Sequence, residues 1–322
     1  MKGKITIWAV ALMAVGTPAA ADMVLTDDFN GGFDQTWGWV NGGGDGQAAI
    51  YADGLRLYSP GGYNDSCIGG YVAATYGLDG YVSALVNAGG ATTGNDQGVM
   101  ARLQGEKEFY GLNYDPFLNK IELIYNHGDA FTDMAGFELS AGTHGMEGQA
   151  LQLRLQVMNY GDMVRLIGQA WDPTGTVMVG QVQQIIDGVT TIDGVVVPVL
   201  GAGVSGVYAA LNLNEYKETG GLSPLDTMMD DFLARTDTLY GDANLDGVVD
   251  EADYDILAAN WLTGDVWAEG DFTFDGTVDQ ADFAVLQENW GGEGDAPASI
   301  PEPATLALLG VGAVMQYSRR RK

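Results

Sequence analysis

The sequence predicts a mainly β protein: an N-terminal jelly-roll or β-sandwich, then a small α domain made of two calcium-type loop–helix repeats. Three observations predict it. Residues 22–237 hold short runs of alternating apolar and polar residues, and no long stretch there shows a helical period. Glycine is abundant and proline sparse, 48 against 9, as suits many strands joined by turns. Residues 241–261 (GDANLDGVVDEADYDILAANW) and 270–290 (GDFTFDGTVDQADFAVLQENW) match at 11 of 21 positions at an offset of 29.

The chain opens with Lys2 and Lys4, an apolar run from Ile5 to Val15, and small residues ending in Ala19-Ala20-Ala21. A basic start, a short apolar core and an A-x-A site predict a secretory signal over residues 1–21, cut before Asp22. The apolar run is too short for a comfortable membrane span.

Residues 22–237 suffice for one all-β domain. Short alternating runs are Gly54–Tyr58, Tyr81–Val86 and Gln97–Leu103, and the clearest is Leu151–Trp171. There Leu151, Leu153, Leu155 and Val157 alternate with Gln, Arg and Gln, and Asn159–Asp162 forms a turn before a second strand from Met163 to Trp171. The order of these pieces resembles the concanavalin A-like lectin/glucanase jelly roll in its laminin-G-like variety. The resemblance implies that the opening Leu25–Phe29 and the closing Met229–Leu233 are first and last strands that pair. It also implies that Asp27, Asp28, Asp230 and Asp231 share a structural calcium there.

Catalytic constellations are scarce. Retaining glycoside hydrolysis needs two carboxylates held about 5–5.5 Å apart, and no E-x-D-x-x-E string supplies them along one strand. Glu106-Lys107-Glu108 reads as a solvated turn and Glu122 as an acid on the wet face of a strand. His127 and His144 sit in Gly-flanked turns, with no G-x-S-x-G elbow. Gly-rich segments such as 41–46 lack the Lys and helix of a phosphate loop. Sugar binding stays open, because Trp37, Trp39, Tyr51, Tyr63, Tyr71, Tyr110 and Tyr114 offer rings for stacking, unless they pack in the core.

Each repeat in 241–291 spaces its oxygens as a calcium loop does. The first has Asp242, Asn244, Asp246, Asp250 and Asp253 at places one, three, five, nine and twelve; the second has Asp271, Thr273, Asp275, Asp279 and Asp282. Val248 and Thr277 offer backbone carbonyls at place seven, and Gly247 and Gly276 allow the sharp turn at six. Two Ca2+ sites are predicted. No helix is evident before either loop, but one is predicted behind each, with apolar stripes Tyr254, Leu257, Trp261 and Phe283, Leu286, Trp290 that pack on each other. This duplicated arrangement resembles the type I dockerin domain, which implies a calcium-dependent module that docks onto a cohesin-like domain of a partner. Dockerins often carry Ser-Thr at places ten and eleven; here they read Glu251-Ala252 and Gln280-Ala281.

A linker, 292–300, leads to Pro301-Glu302-Pro303, an apolar run from Ala304 to Met315 and Arg319-Arg320-Arg321-Lys322. An apolar run closed by basic residues stays membrane-embedded with the charges inside. Residues 301–322 resemble the PEP-CTERM sorting tail, which implies handling by a membrane-embedded exosortase and release or attachment at the cell surface. A plain tail anchor is the other reading.

The net charge of −29 becomes −34 over residues 22–300, with 8 basic and 42 acidic residues, which excludes a nucleic-acid partner. Cys67 is the sole cysteine, so no intramolecular disulfide can form. The sequence therefore points to a secreted or cell-surface, calcium-binding, non-catalytic protein whose jelly roll binds a surface glycan or polysaccharide. The alternative is a glycoside hydrolase recruited to a scaffold through its dockerin.

Overall fold

The computed structural model describes residues 24–30, 32–43, 47–51, 54–58, 67–77, 79–87, 95–105, 108–116, 118–127, 130–139, 150–211, 226–236 and 239–291. The chain divides into two compact units, residues 1–238 and 239–322.

The strands of the first unit are β1 (Val24–Asp27), β2 (Trp37–Gly43), β3 (Gln47–Tyr51), β4 (Gly54–Tyr58), β5 (Cys67–Gly77), β6 (Gly80–Asn87), β7 (Asn95–Gln104), β8 (Glu108–Asp115) and β9 (Lys120–His127). They continue with β10 (Phe131–Glu138), β11 (Ala150–Tyr160), β12 (Met163–Trp171), β13 (Met178–Ile186), the short pair β14 (Thr191–Ile192) and β15 (Val195–Val196), β16 (Gly203–Leu211) and β17 (Asp226–Arg235). One eight-stranded sheet runs β13-β12-β11-β6-β17-β4-β3 with β1 added on β17, and a seven-stranded sheet runs β10-β9-β8-β7-β16-β5-β2. Every pairing in them is antiparallel, and non-consecutive neighbours such as β6–β17 and β7–β16 give the jelly-roll-like winding of a mainly β sandwich.

Period-two alternation builds the core between the sheets. Leu151, Leu153, Leu155 and Val157 of β11 point inward with Val82, Ala84, Val86, Leu55, Leu57 and Phe232. From the other sheet they meet Val99, Tyr110, Leu112, Tyr114, Ile121, Leu123 and Val207. Each fully buried Leu or Val of this set contributes about 1.5–3 kcal/mol. The β11–β12 hairpin closes at Tyr160↔Met163 around Gly161, whose φ of 61° is open to glycine at little cost. Asn159 and Tyr160, read from sequence as turn, belong to the strand.

The opening and closing stretches do pair: Leu25 lies opposite Ala234, Thr26 opposite Leu233 and Asp27 opposite Phe232. Arg154 and Gln156 of β11, which alternation assigns to solvent, are buried instead, and Gln152 is half-buried. The Arg154 guanidinium lies 4.4 Å from the Trp171 ring centre and bonds Gln152 Oε1 at 2.8 Å, so a layer of long side chains covers the sheet's outer face.

The second unit holds two helices among its described residues, α1 (Glu251–Ala259) and α2 (Gln280–Glu288), and a short 3-10 turn at Trp267–Glu269. Each helix starts on a reciprocal capping box: Asp250 with Asp253, and Asp279 with Asp282.

Candidate functional sites: two acidic loops and a buried acidic row

Both acidic loops fold on the same plan. In the first, Asp242 accepts from the N–H groups of Asp246 (3.1 Å) and Gly247 (2.9 Å), and Asp246 accepts from Val248 N–H (3.0 Å). In the second, Asp271 accepts from Asp275 (3.2 Å) and Gly276 (3.0 Å), and Asp275 from Thr277 (3.0 Å). The last acid of each loop turns back on it: Asp253 accepts from Ala243 at 2.8 Å, and Asp282 from Thr273 at 2.8 Å. Positive φ at Leu245 and Gly247 recurs at Phe274 and Gly276.

The two halves pack crosswise. The Cβ position of Gly241, at the head of the first loop, lies 3.1 Å from Leu286 Cα on α2, and that of Gly270, at the head of the second, lies 2.9 Å from Leu257 Cα on α1. Leu262 N–H donates to Val278 O (2.8 Å) and Gly291 N–H to Val249 O (2.9 Å), again one half to the other. Tyr254 and Phe283, equivalent places in the repeat, meet edge to face at 6.1 Å.

The stripes predicted on the helices are partly realised. Leu257 and Leu286 are buried, but Trp261 lies beyond the Asn260 cap, 41% exposed. The fully buried tryptophan is Trp267, which sequence reading passed over. Its indole N–H donates to the Asp242 carbonyl at 2.6 Å, and its ring packs against Phe272 at 5.0 Å and Phe274 at 5.3 Å. The second loop is thus preceded by a short helical turn, where irregular sequence was expected.

Crowding and burial disturb the loop acids. Burial, with Asp253 and Asp246 close by, pushes the Asp242 carboxyl well above the usual range. Burial carries Asp253 up to about 7 against three backbone donors, and raises Asp271. Among the described residues, no three His, Cys, Asp or Glu side chains stand arranged to hold a metal ion. The carboxylates are occupied with backbone N–H groups, and the remaining places in each loop belong to Asn, Thr and main-chain oxygens. One oxygen has nothing to bond: Thr273 Oγ1, at place three of the second loop, is buried with no hydrogen-bond partner. A buried, unpaired ligand-type oxygen at that place fits a hard cation such as calcium.

A second cluster lies on the outer face of the seven-stranded sheet. The registers Asp115↔Lys120, Asn113↔Glu122 and Glu122↔Gly136 put Asn113, Asp115, Lys120 and Glu122 on the face opposite the core-directed Ile121 and Leu123. Asp96, at the head of β7, faces the same way as Ala210, its partner on β16. Glu122, expected on a wet face, is only 5% exposed because neighbouring strands crowd it, and it pairs with Lys120 Nζ. Asp96, Asn113 and Asp115 are buried too, whereas Asp133 is exposed, so the row runs from solvent inward.

Tyr208 donates its hydroxyl to Asn113 Oδ1 (3.1 Å), and Asn113 in turn bonds Asp96. Asp96 Oδ1 keeps no partner. Burial, then Asp115, Glu122 and Asp133, hold the Asp96 carboxyl well above its usual range, and burial with Asp133 and Asp115 raises Glu122 despite Lys120. The surrounding strands partly desolvate the carboxyl of Asp133 and raise it as well, although the residue reaches solvent. Burial alone would lower Lys120, but Glu122, Asp133 and Asp115 raise it.

The remaining sequence candidates resolve differently. Tyr110 and Tyr114 are core residues, and Tyr110 bridges Pro198 O and Leu200 N–H. Trp37 and Trp39 stack on each other at 6.0 Å and pack on the core with Phe29 and Phe232. Tyr71 packs on a smaller cluster around Met100 and Tyr208. Asp27 accepts from Phe29, Asp34 and Gln35 N–H and from the Trp37 indole, which leaves its oxygens to these donors rather than to a calcium shared with Asp28, Asp230 and Asp231. His127 stacks on Tyr125 and bonds Thr132, a packing role. Glu108 heads β8. The signal, Glu106, His144, Tyr63, the Tyr51 side chain, the linker and the sorting residues Pro301, Glu302 and Pro303 lie outside what is described. Among the described residues no helix is long and apolar enough to cross a membrane.

Residues 299–322 match the PEP-CTERM protein-sorting motif. No curated protein matches the chain. Among solved structures it is similar to the carbohydrate-binding module CBM66 from Bacillus subtilis, at 13% identity over 62% of this chain and 95% of that one, with a TM-score of 0.36. Arcelin-5, a lectin-like defense protein from Phaseolus vulgaris, matches at 10% identity over 67% and 98%, with a TM-score of 0.43. The exoplasmic/lumenal domain of VIP36 in its Ca2+/Man3GlcNAc-bound form matches at 11% over 67% and 88%, with a TM-score of 0.40.

Proposed function

We propose that this is an exported, surface-sorted, non-catalytic protein: a concanavalin A-like β-sandwich that binds carbohydrate, joined to a dockerin-like module that folds around two calcium ions. The sorting tail is handled by an exosortase. Export is supported by the tail motif and by the signal-like start. Asp242, Asn244, Asp246, Asp250 and Asp253, with the Val248 carbonyl, would hold one ion. Asp271, Thr273, Asp275, Asp279 and Asp282, with the Thr277 carbonyl, would hold the other. Calcium would supply charge neutralisation to Asp242, Asp253 and Asp271, whose carboxyls burial, and after it neighbouring acids, raise above the usual range.

Carbohydrate binding is carried by one observation: the row Asp96, Asn113, Asp115 and Glu122 on an outer sheet face, open at Asp133 and holding an unsatisfied acceptor. Sugar hydroxyls are the donors that such acceptors take. The same face favours a second reading, a glycoside hydrolase, since it carries the carboxyls of Asp96, Asp115, Glu122 and Asp133 and burial raises those of Asp96 and Glu122, as an acid role requires. Reducing-sugar release that Glu122→Gln abolishes would establish the hydrolase; glycan capture without turnover establishes the binder.

A calcium titration by calorimetry tests the other half. Two bound equivalents are expected, with Asp246→Ala and Asp275→Ala each weakening its own site first. No heat from either loop would reject the calcium assignment. A pull-down from a secreted fraction, with and without calcium, tests for a cohesin-like partner.

A further inference from the structure

The acidic row has a charge imbalance that a neutral sugar does not correct. Asp96, Asp115, Glu122 and Asp133 face one another through β7, β8, β9 and β10, and the one cation among them, Lys120, is already paired with Glu122. Asp193, at the β14–β15 turn, adds a further negative charge beside Asp133, and Glu138 lies opposite Lys120 in register. Asn113 fixes one side of the Asp96 carboxyl while Oδ1 stays buried and unpartnered. Hydroxyl donors would satisfy that oxygen but leave the like charges facing. A divalent metal would need several of these oxygens gathered on one point, and the register instead spreads Asp96, Asp115 and Glu122 over three strands.

We infer that the ligand of this face is a saccharide carrying a protonated amine, its ammonium taken up by Asp96 and Glu122 beside Asn113 and its ring directed past Glu122 toward the exposed Asp133. This rests on the carbohydrate-binding reading above. An ammonium offers N–H donors to Asp96 Oδ1 and offsets the carboxylates without requiring octahedral convergence. Steering agrees, because the chain's net charge of −29 attracts a cationic polymer from a distance.

Calorimetry on the full chain at pH 6 compares a β-linked glucosamine tetramer, its N-acetylated counterpart, a neutral glucan tetramer and a simple diamine. The glucosamine tetramer is expected to bind at least ten-fold tighter than either neutral tetramer, with affinity that falls as salt rises. Asp96→Asn, which keeps the size of the side chain and removes its charge, should erase most of that preference. Asp133→Asn, on the exposed rim where folding is not at stake, should weaken the aminated ligand several-fold and leave the neutral tetramers unchanged. Equal binding of aminated and neutral tetramers would overturn this inference and leave the carbohydrate reading standing. Failure of all three tetramers would overturn both, and a diamine that matches the glucosamine tetramer would overturn the saccharide part.

Discussion

Trp267→Ala should abolish the cooperative thermal melt of the second unit once calcium is withdrawn. Trp267 is fully buried, contacts Phe272 and Phe274, and satisfies the Asp242 carbonyl. Removing a buried Trp costs about 3–5 kcal/mol, and the stranded carbonyl adds about 1–3 kcal/mol. A unit the size of residues 239–291 has roughly 3–8 kcal/mol in total, at about 0.05–0.15 kcal/mol per residue. The loss therefore rivals the whole stability of the metal-free unit. Calcium at about 1,000 times its dissociation constant returns roughly 4 kcal/mol per site, enough to keep the variant folded. Scanning calorimetry of the full chain should show the variant's smaller transition missing in chelator, restored in millimolar calcium, and the β-sandwich transition unmoved. A chelated variant whose smaller transition shifts by no more than a degree or two would refute both the placement of Trp267 and the calcium linkage.

Three further outcomes can be checked directly. In chelator, the second unit should lose stability as pH rises from about 4 toward 7, because Asp242, Asp253 and Asp271 hold protons more tightly folded than unfolded, with Asp253 at about 7. With calcium the trend should reverse, since the ion needs the carboxylates deprotonated; circular dichroism melts at several pH values read both slopes. Asp27→Ala strands four donors, Phe29, Asp34 and Gln35 N–H and the Trp37 indole, and should lower β-sandwich stability by about 3 kcal/mol or more in a urea titration. Gly206→Ala would press a methyl into the Gly70 carbonyl of β5 and should cost about 2–4 kcal/mol, visible as poor soluble yield or an early thermal transition.

What the sequence disclosed was what local spacing encodes. The β11–β12 hairpin announces itself because four alternating leucines and valines flank a glycine that the turn requires. The acidic loops announce themselves because each gathers its regularly spaced acids within a dozen residues. Trp267 did not, since its partner, the Asp242 carbonyl, is 25 residues away and nothing in Thr263-Gly264-Asp265-Val266 marks the approach. The acidic row was invisible for a related reason. Asp96, Asp115, Glu122 and Asp133 come from four strands, and only the register across β7–β10 sets them side by side. Glu122 in isolation has the pattern of a solvent-facing acid, because alternation reports which face a residue is on and not what crowds that face. Trp261 failed the other way: its helical spacing is right, but the helix ends at the Asn260 cap one residue earlier.

The crosswise packing of the second unit makes each repeat an incomplete object. Gly241 rests on Leu286 and Gly270 on Leu257, while Leu262 and Gly291 each close a hydrogen bond on the opposite half. A single loop–helix released by a cut between Leu262 and Val266 would have its own ligands but no surface against which to fold. On the calcium reading proposed above, the two fragments mixed with the ion would reassemble by complementation, and filling one loop would favour filling the other, so that the unit would tighten as one body rather than loop by loop.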